Sequence, residues 1–159
     1  MAKRQIIDLY FDFSVWGINS AMEDYRICWH LNELLHWKMK RIADIEFNNT
    51  KQKSFSFFHA YSYSNVIDFY TLEFIQNKNA GNYLIPELKN IDYLLLLNGE
   101  EDYFDESAFI QLISKVPAIQ TIIPIDVQSL KSKQNLLIRH FNEHHKKKNE
   151  NSSYYWPGF

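Results

Sequence analysis

The run Leu94-Leu95-Leu96-Leu97 most restricts what this chain can fold into. Just upstream, Pro86 fixes its own φ and drives Ile85 toward extended backbone, so no helix passes through that point. Ile91 to Leu97 therefore reads as a strand with apolar residues on both faces. Such a strand belongs at the buried centre of a sheet. Leaving Leu94 and Leu96 in water would forgo roughly 1.5–3 kcal/mol each.

Other segments supply the rest of that sheet. From Ile7 to Trp16 apolar residues alternate, with Ile7, Leu9, Phe11, Phe13 and Val15 on one side, which predicts a half-buried strand broken at Gly17. Ser20-Ala21-Met22-Glu23 has capping-box spacing, and a helix is expected to about Trp37. Its apolar face collects Ala21, Tyr25, Ile27, Cys28, Leu31, Leu34 and Leu35; Glu23, Arg26, His30 and Glu33 lie opposite. Asn32 projects into the apolar face, where a hydrogen bond to a strand end is expected. The chain turns extended after Arg41-Ile42-Ala43-Asp44, and 48–53 reads as a polar loop. Phe55 to Tyr63 and Ile67 to Ile75 read as a hairpin around Ser64-Asn65, with a further turn over 77–82. A second helix starts near Asp105 and ends at Pro117. Ile119 to Val127 alternates again, and Pro124 assigns it to a sheet edge. Leu130 to about Phe141 is expected to be helical.

The order β-α-β-β-β-α-β plus a C-terminal helix predicts an α+β fold in two layers: a mainly antiparallel sheet with two helices on one face. By element order it resembles ferredoxin-like and ACT-like domains. Residues 1–142 are expected to form one domain, and 143–159 a flexible basic and aromatic tail.

Ile85-Pro86-Glu87, three residues, then Ile91-Asp92-Tyr93 resembles the signature of the IPExxxVDY family of Bacteroidota-type bacteria, with Ile91 where the pattern has Val. The resemblance spans roughly residues 5–138. It implies a small soluble bacterial domain and brings no activity, cofactor or ligand with it. Glu87 and Asp92 are a carboxylate pair in name; beside a strand entrance they are expected to cap a turn or meet a surface cation.

Composition excludes several chemistries. One cysteine, Cys28, rules out an intrachain disulfide framework and a Cys-rich zinc site, and its place on an apolar helix face predicts an inert thiol. Four glycines, at 17, 81, 99 and 158, build neither a P-loop nor a Gly-x-Gly-x-x-Gly turn. There is no Gly-x-Ser-x-Gly elbow. His140, His144 and His145 lie beside Lys146-Lys147-Lys148 and read as a solvated tail rather than a metal site. No catalytic, cofactor or metal residues are assigned. With no run of 18 apolar residues and no signal-peptide core, a cytoplasmic protein off the membrane is expected.

Aromatics are abundant, with 12 Phe, 10 Tyr and 4 Trp, more bulky surface than a small core readily hides. That surplus points to a homodimer or higher oligomer. Charge is divided unevenly: residues 1–130 carry a net −6 and residues 131–159 a net +4. Any RNA binding is therefore expected to be weak and to reside in the tail, while Tyr154-Tyr155-Trp156 and Phe159 are expected to dock either on the body or on a protein partner. Together these features predict a non-enzymatic regulatory or scaffold domain acting through self-association or protein or small-ligand binding. The alternative is an RNA- or ribosome-associated accessory protein.

Overall fold

A computed structural model describes residues 13–49, 51, 53–65, 67, 70–99 and 105–136. Strands β1 (Ser14–Asn19), β2 (Lys40–Asn49), β3 (Ser54–Asn65), β4 (Tyr70–Gln76), β7 (Tyr93–Gly99) and β8 (Thr121–Ile125) form a six-stranded sheet. Its order is β2-β3-β4-β7-β1-β8, with every neighbouring pair antiparallel. The strands β5 (Lys78–Asn79) and β6 (Asn82–Tyr83) form a separate small hairpin. Its turn residues Ala80 and Gly81 have φ of 49° and 80°, both left-handed as a two-residue I′ connection requires.

Helices α1 (Asp24–Leu35) and α2 (Glu106–Ile113) cover one face of the sheet. Trp16, Ile18, Leu72, Phe74, Tyr93 and Leu95 of the sheet pack there with Ile27, Leu31, Phe109 and Ile113. On the other face Val15, Phe58, Ile75, Leu94 and Leu96 lie against Leu84, Ile85, Ile91, Val127, Leu130 and Leu136. Among the described residues the second cover has no long helix. It consists of the chain through the short 3-10 turn Pro86–Leu88 and of the segment after β8. Leu94 to Leu97 are all buried, in the strand next to β1 and β4.

Several boundaries differ from the sequence expectations. The first strand runs through Gly17 instead of stopping there, because Gly17 lies opposite Leu94 and Ile123 with Ile91 above it. Residues 7–12 lie outside the described residues. Helix α1 starts at Asp24 with Glu23 at its N-cap and no side-chain cap. Ser20 is used otherwise: its Oγ accepts from Met22 N and donates to Ala118 O. Tyr25, expected on the apolar face, is 59% exposed.

Strand β2 was not anticipated as an element, since a bulge between Ile42 and Ile45 breaks the period-two pattern. Ser64 and Asn65 complete β3 instead of forming a turn, and the next strand begins at Tyr70. The apolar central strand starts at Tyr93; Ile91 belongs to the turn before it. Strand β8 is shorter than expected and sits at the edge, as Pro124 requires. Helix α2 begins on Asp105, whose side chain accepts from Ala108 N. Gln134–Leu136 are helical. The remainder of the expected C-terminal helix, the tail 143–159 and the histidines at 140, 144 and 145 lie outside the described residues. Among the described residues no helix is long and apolar enough to cross a membrane.

Candidate functional site

The signature residues form a clasp whose hub is a residue outside the signature. Asn77, wholly buried, follows β4. Its Oδ1 accepts from Ile85 N at 2.9 Å, and its Nδ2 donates to Leu88 O and Ile91 O, each at 2.9 Å. Its backbone N donates to Asp92 O at 2.9 Å, and its O accepts from Leu84 N at 2.8 Å. A buried segment outside a sheet ladder must find a partner for every backbone polar group. One amide side chain supplies three of them here.

Each signature side chain then fastens something. Ile85 and Ile91 fill the core on the side away from the helices, and Pro86 opens the 3-10 turn. Glu87 accepts twice from Ser132, from Oγ at 2.5 Å and from the backbone N at 3.1 Å, pinning the chain that follows β8. Asp92 Oδ2 accepts from Ser20 N at 3.0 Å, and Asp92 N donates to Ile18 O at 3.1 Å, closing the end of β1. Tyr93 donates to Met22 O at 2.7 Å and stacks on Phe74 with ring centroids 5.1 Å apart. Burial, with the charges of Asp24, Asp92 and Glu23, raises its hydroxyl well above the ordinary tyrosine value. Glu87 and Asp92 thus bind different segments, and among the described residues both meet backbone amides rather than cations. Asn77 escaped the sequence reading because nothing in an Asn-rich turn marks it apart from Asn79 and Asn82.

A second polar cluster lies on the helix side. Asp24, in the first turn of α1, is buried. Its Oδ2 accepts from Tyr61 OH at 2.7 Å and meets His59 Nδ1 at 2.9 Å. The backbone N of His59 donates to Gln76 Oε1 at 2.8 Å. Arg41 covers the Tyr61 ring at 5.5 Å and pairs with Asp44 at 2.6 Å. Burial pushes the Asp24 carboxyl up, but the bonds from Tyr61 and His59 and the charge of His59 outweigh it, leaving a value below the ordinary carboxylate. Tyr61 is raised by burial and by Asp24.

A carboxylate holding one imidazole nitrogen is half of an acid–base relay, but a relay also needs a reacting group. Cys28, one turn along from Asp24, is buried; burial and the charge of Asp24 push its thiol up to about 11. It is a neutral thiol at pH 7. Asn32 is occupied structurally, exchanging bonds with Met39 N at 3.0 Å and Met39 O at 3.2 Å just before β2. Among the described residues no group of three or more His, Cys, Asp or Glu is placed to hold a metal ion. What the Asp24 cluster does is anchor the start of α1 to β3.

That anchored surface carries exposed aromatics. Tyr25 and Trp29, neighbours at i and i+4 on α1, are 59% and 58% exposed. On β3, Phe58 is fully buried against the face away from the helices and Tyr61 is buried on the helix side. Phe55 and Phe57 are 58% and 48% exposed. Of these strand aromatics only Tyr61 is buried on the helix side; Phe58 packs on the opposite face, and Phe55 and Phe57 stay exposed. A shallow cavity of about 260 Å³ lies between His30, Glu33 and Leu34 of α1 and the stretch Lys115, Val116 and Pro117. No family model, curated protein or solved structure matches this chain.

Proposed function

We propose that this protein is a non-enzymatic regulatory or scaffold domain of the bacterial cytoplasm that works by self-association, offering its surface to protein or small-ligand partners. The observation that carries this reading is the Tyr25–Trp29 pair, more than half exposed on a helix that Asp24 locks to the sheet. Exposed aromatics on a rigid element supply contact area at little entropic cost, which is how anchors of protein interfaces work. The motif order over residues 85–93 supports placing the chain with IPExxxVDY-type proteins. A ferredoxin-like or ACT-like core is supported by the strand order β8-β1-β7-β4, with both helices on one side and β2-β3 as an added hairpin. In ACT-like modules a small ligand would sit between two copies.

Sedimentation velocity of the full chain from low to tens of micromolar tests the reading. Self-association that weakens in a Tyr25→Ser/Trp29→Ser variant of unchanged circular dichroism is the expected result. A monomer at every concentration defeats it.

One observation favours the RNA alternative: Phe55 and Phe57 stand open on β3 just after Lys53, as stacking platforms for single strands do. If the +4 charge of residues 131–159 carries the affinity, about four phosphate contacts give a log–log salt slope of roughly −3 to −4. Truncation after Leu130 would then abolish binding. If the truncated chain binds equally well and Phe57→Ala weakens it, the affinity belongs to β3 and the RNA reading takes precedence.

A further inference from the structure

We infer that α1 is the contact between two copies of this chain, packed antiparallel about a two-fold axis that passes between Trp29 and His30. This deepens the self-association reading and rests on it. Arg26, Trp29, His30 and Glu33 fall within an arc of about 100° on α1. None of the four is a core residue of the sheet's helix side, and Trp29 is 58% exposed. Among the described residues neither Arg26 nor Glu33 is in an ion pair.

The positions are symmetric as well as exposed. Arg26 and Glu33 each lie about 5 Å along the axis from the midpoint between Trp29 and His30. An antiparallel second helix centred on that midpoint therefore sets Arg26 against Glu33 of the partner subunit, and Glu33 against Arg26 of the partner subunit. It also sets Trp29 beside His30 of the partner subunit. That repeats between chains the edge-on contact the two rings make within one, where their centroids are 5.0 Å apart. A two-fold contact requires one patch complementary to itself. Opposite charges at equal distances on either side of an aromatic pair meet that requirement.

Among the described residues, the sheet's centre and edges offer a second copy less. The centre of each sheet face is covered within the chain, although Phe55 and Phe57 stay exposed on β3. Strand addition at β8 meets Pro124, which lacks an N–H. At β2 it meets a bulge between Ile42 and Ile45 and the charges of Lys40, Arg41, Asp44 and Glu46.

The test is sedimentation equilibrium on the full chain and on R26E, E33R, R26E/E33R and W29A, with circular dichroism as the folding control. The wild type should dimerise. R26E and E33R each juxtapose like charges, and each should raise the dissociation constant about tenfold or more. W29A should weaken the dimer too. R26E/E33R should recover the dimer, and an equimolar mixture of R26E with E33R should form a heterodimer. If the wild type dimerises and neither charge reversal nor W29A weakens it, or if the double variant and the mixture stay monomeric, this interface is refuted while self-association stands. If the wild type is a monomer throughout, both fall.

Discussion

On the helix side of the sheet, Trp16, Ile18, Phe74 and Leu95 lie beneath α1 and α2, whose backbone groups bond within the helices. On the other side, Val15, Leu94 and Leu96 lie beneath chain that forms no ladder, and whose backbone groups need side-chain partners. The two covers therefore place their polar groups to different ends. Every signature side chain is taken up in holding the irregular cover or in closing the strand ends beside it. The regular cover leaves Tyr25, Arg26, Trp29 and Glu33 facing out. The difference teaches that the motif's side chains are taken up by the fold, whereas the exposed Tyr25–Trp29 pair lies on a helix with no motif at all.

The comparison breaks most severely at Asn77. Replacing it with alanine leaves Ile85 N, Leu88 O and Ile91 O without their partner in a buried site. An unsatisfied buried group costs about 1–3 kcal/mol, so Asn77→Ala should lose roughly 3–5 kcal/mol. Urea unfolding reads the loss as a lower midpoint at unchanged slope. A cost near zero would mean that the irregular cover holds itself by apolar packing alone.

On the helix side the corresponding anchor is Asp24. Asp24→Ala deprives the buried Tyr61 hydroxyl of its acceptor and should cost about 2–3 kcal/mol. Because the folded carboxyl lies below the ordinary value of 3.8, its contribution is fully present above that pH. It is lost as pH falls through the lower, folded value. Asp24→Asn should therefore flatten the stability profile below about pH 4 and leave it parallel to the wild type above that point. Denaturant midpoints measured across that range decide it.

What the sequence made legible follows from how local each determinant is. The burial of Leu94–Leu97, the Asp105 cap of α2 and the edge position of β8 rest on apolar runs, one capping residue and one proline, so each could be read in place. Strand β2 was hidden because its bulge shifts the alternation on which strand recognition depends. The Asp24 cluster joins residues 35 and 37 positions apart, and nothing in one chain signals that meeting. Of the candidate site, the signature was visible and its partners Asn77, Ser20 and Ser132 were not, because a hydrogen-bond partner leaves no periodic trace.

Gly17 sharpens the comparison at the point where the irregular cover touches the sheet. A Cβ there would lie 2.9 Å from Ile91 Cδ1 and 3.1 Å from both its Cγ atoms, so the whole Ile91 side chain would have to move. Gly17→Ala should cost about 1–2 kcal/mol by overpacking. Ile91→Val, which removes one methylene, should alone cost about 0.5–1.5 kcal/mol. It also removes the nearest clashing atom, so the double variant should be more stable than the sum of the two losses predicts. Strict additivity in thermal unfolding would place the added methyl's cost elsewhere than against Ile91.

The smallest effect is expected at Glu87, where the signature acid is exposed although its geometry is good. Both of its oxygens accept from Ser132, so it ties the turn at Pro86–Leu88 to the chain beyond β8. Water competes freely for both groups, which limits the net gain to about 0.5–1 kcal/mol. Glu87→Gln keeps one good acceptor and should lose only part of that; Ser132→Ala removes the hydroxyl donor and leaves the amide in place. The pair is informative only as a double-mutant cycle, in which a coupling of about 0.5 kcal/mol reports the clasp itself. A coupling indistinguishable from zero, with the first amides after β8 exchanging hydrogen no faster in Glu87→Gln, would show that Leu130 and Leu136 hold this segment through burial. The glutamate of the signature would then need a reason other than stability.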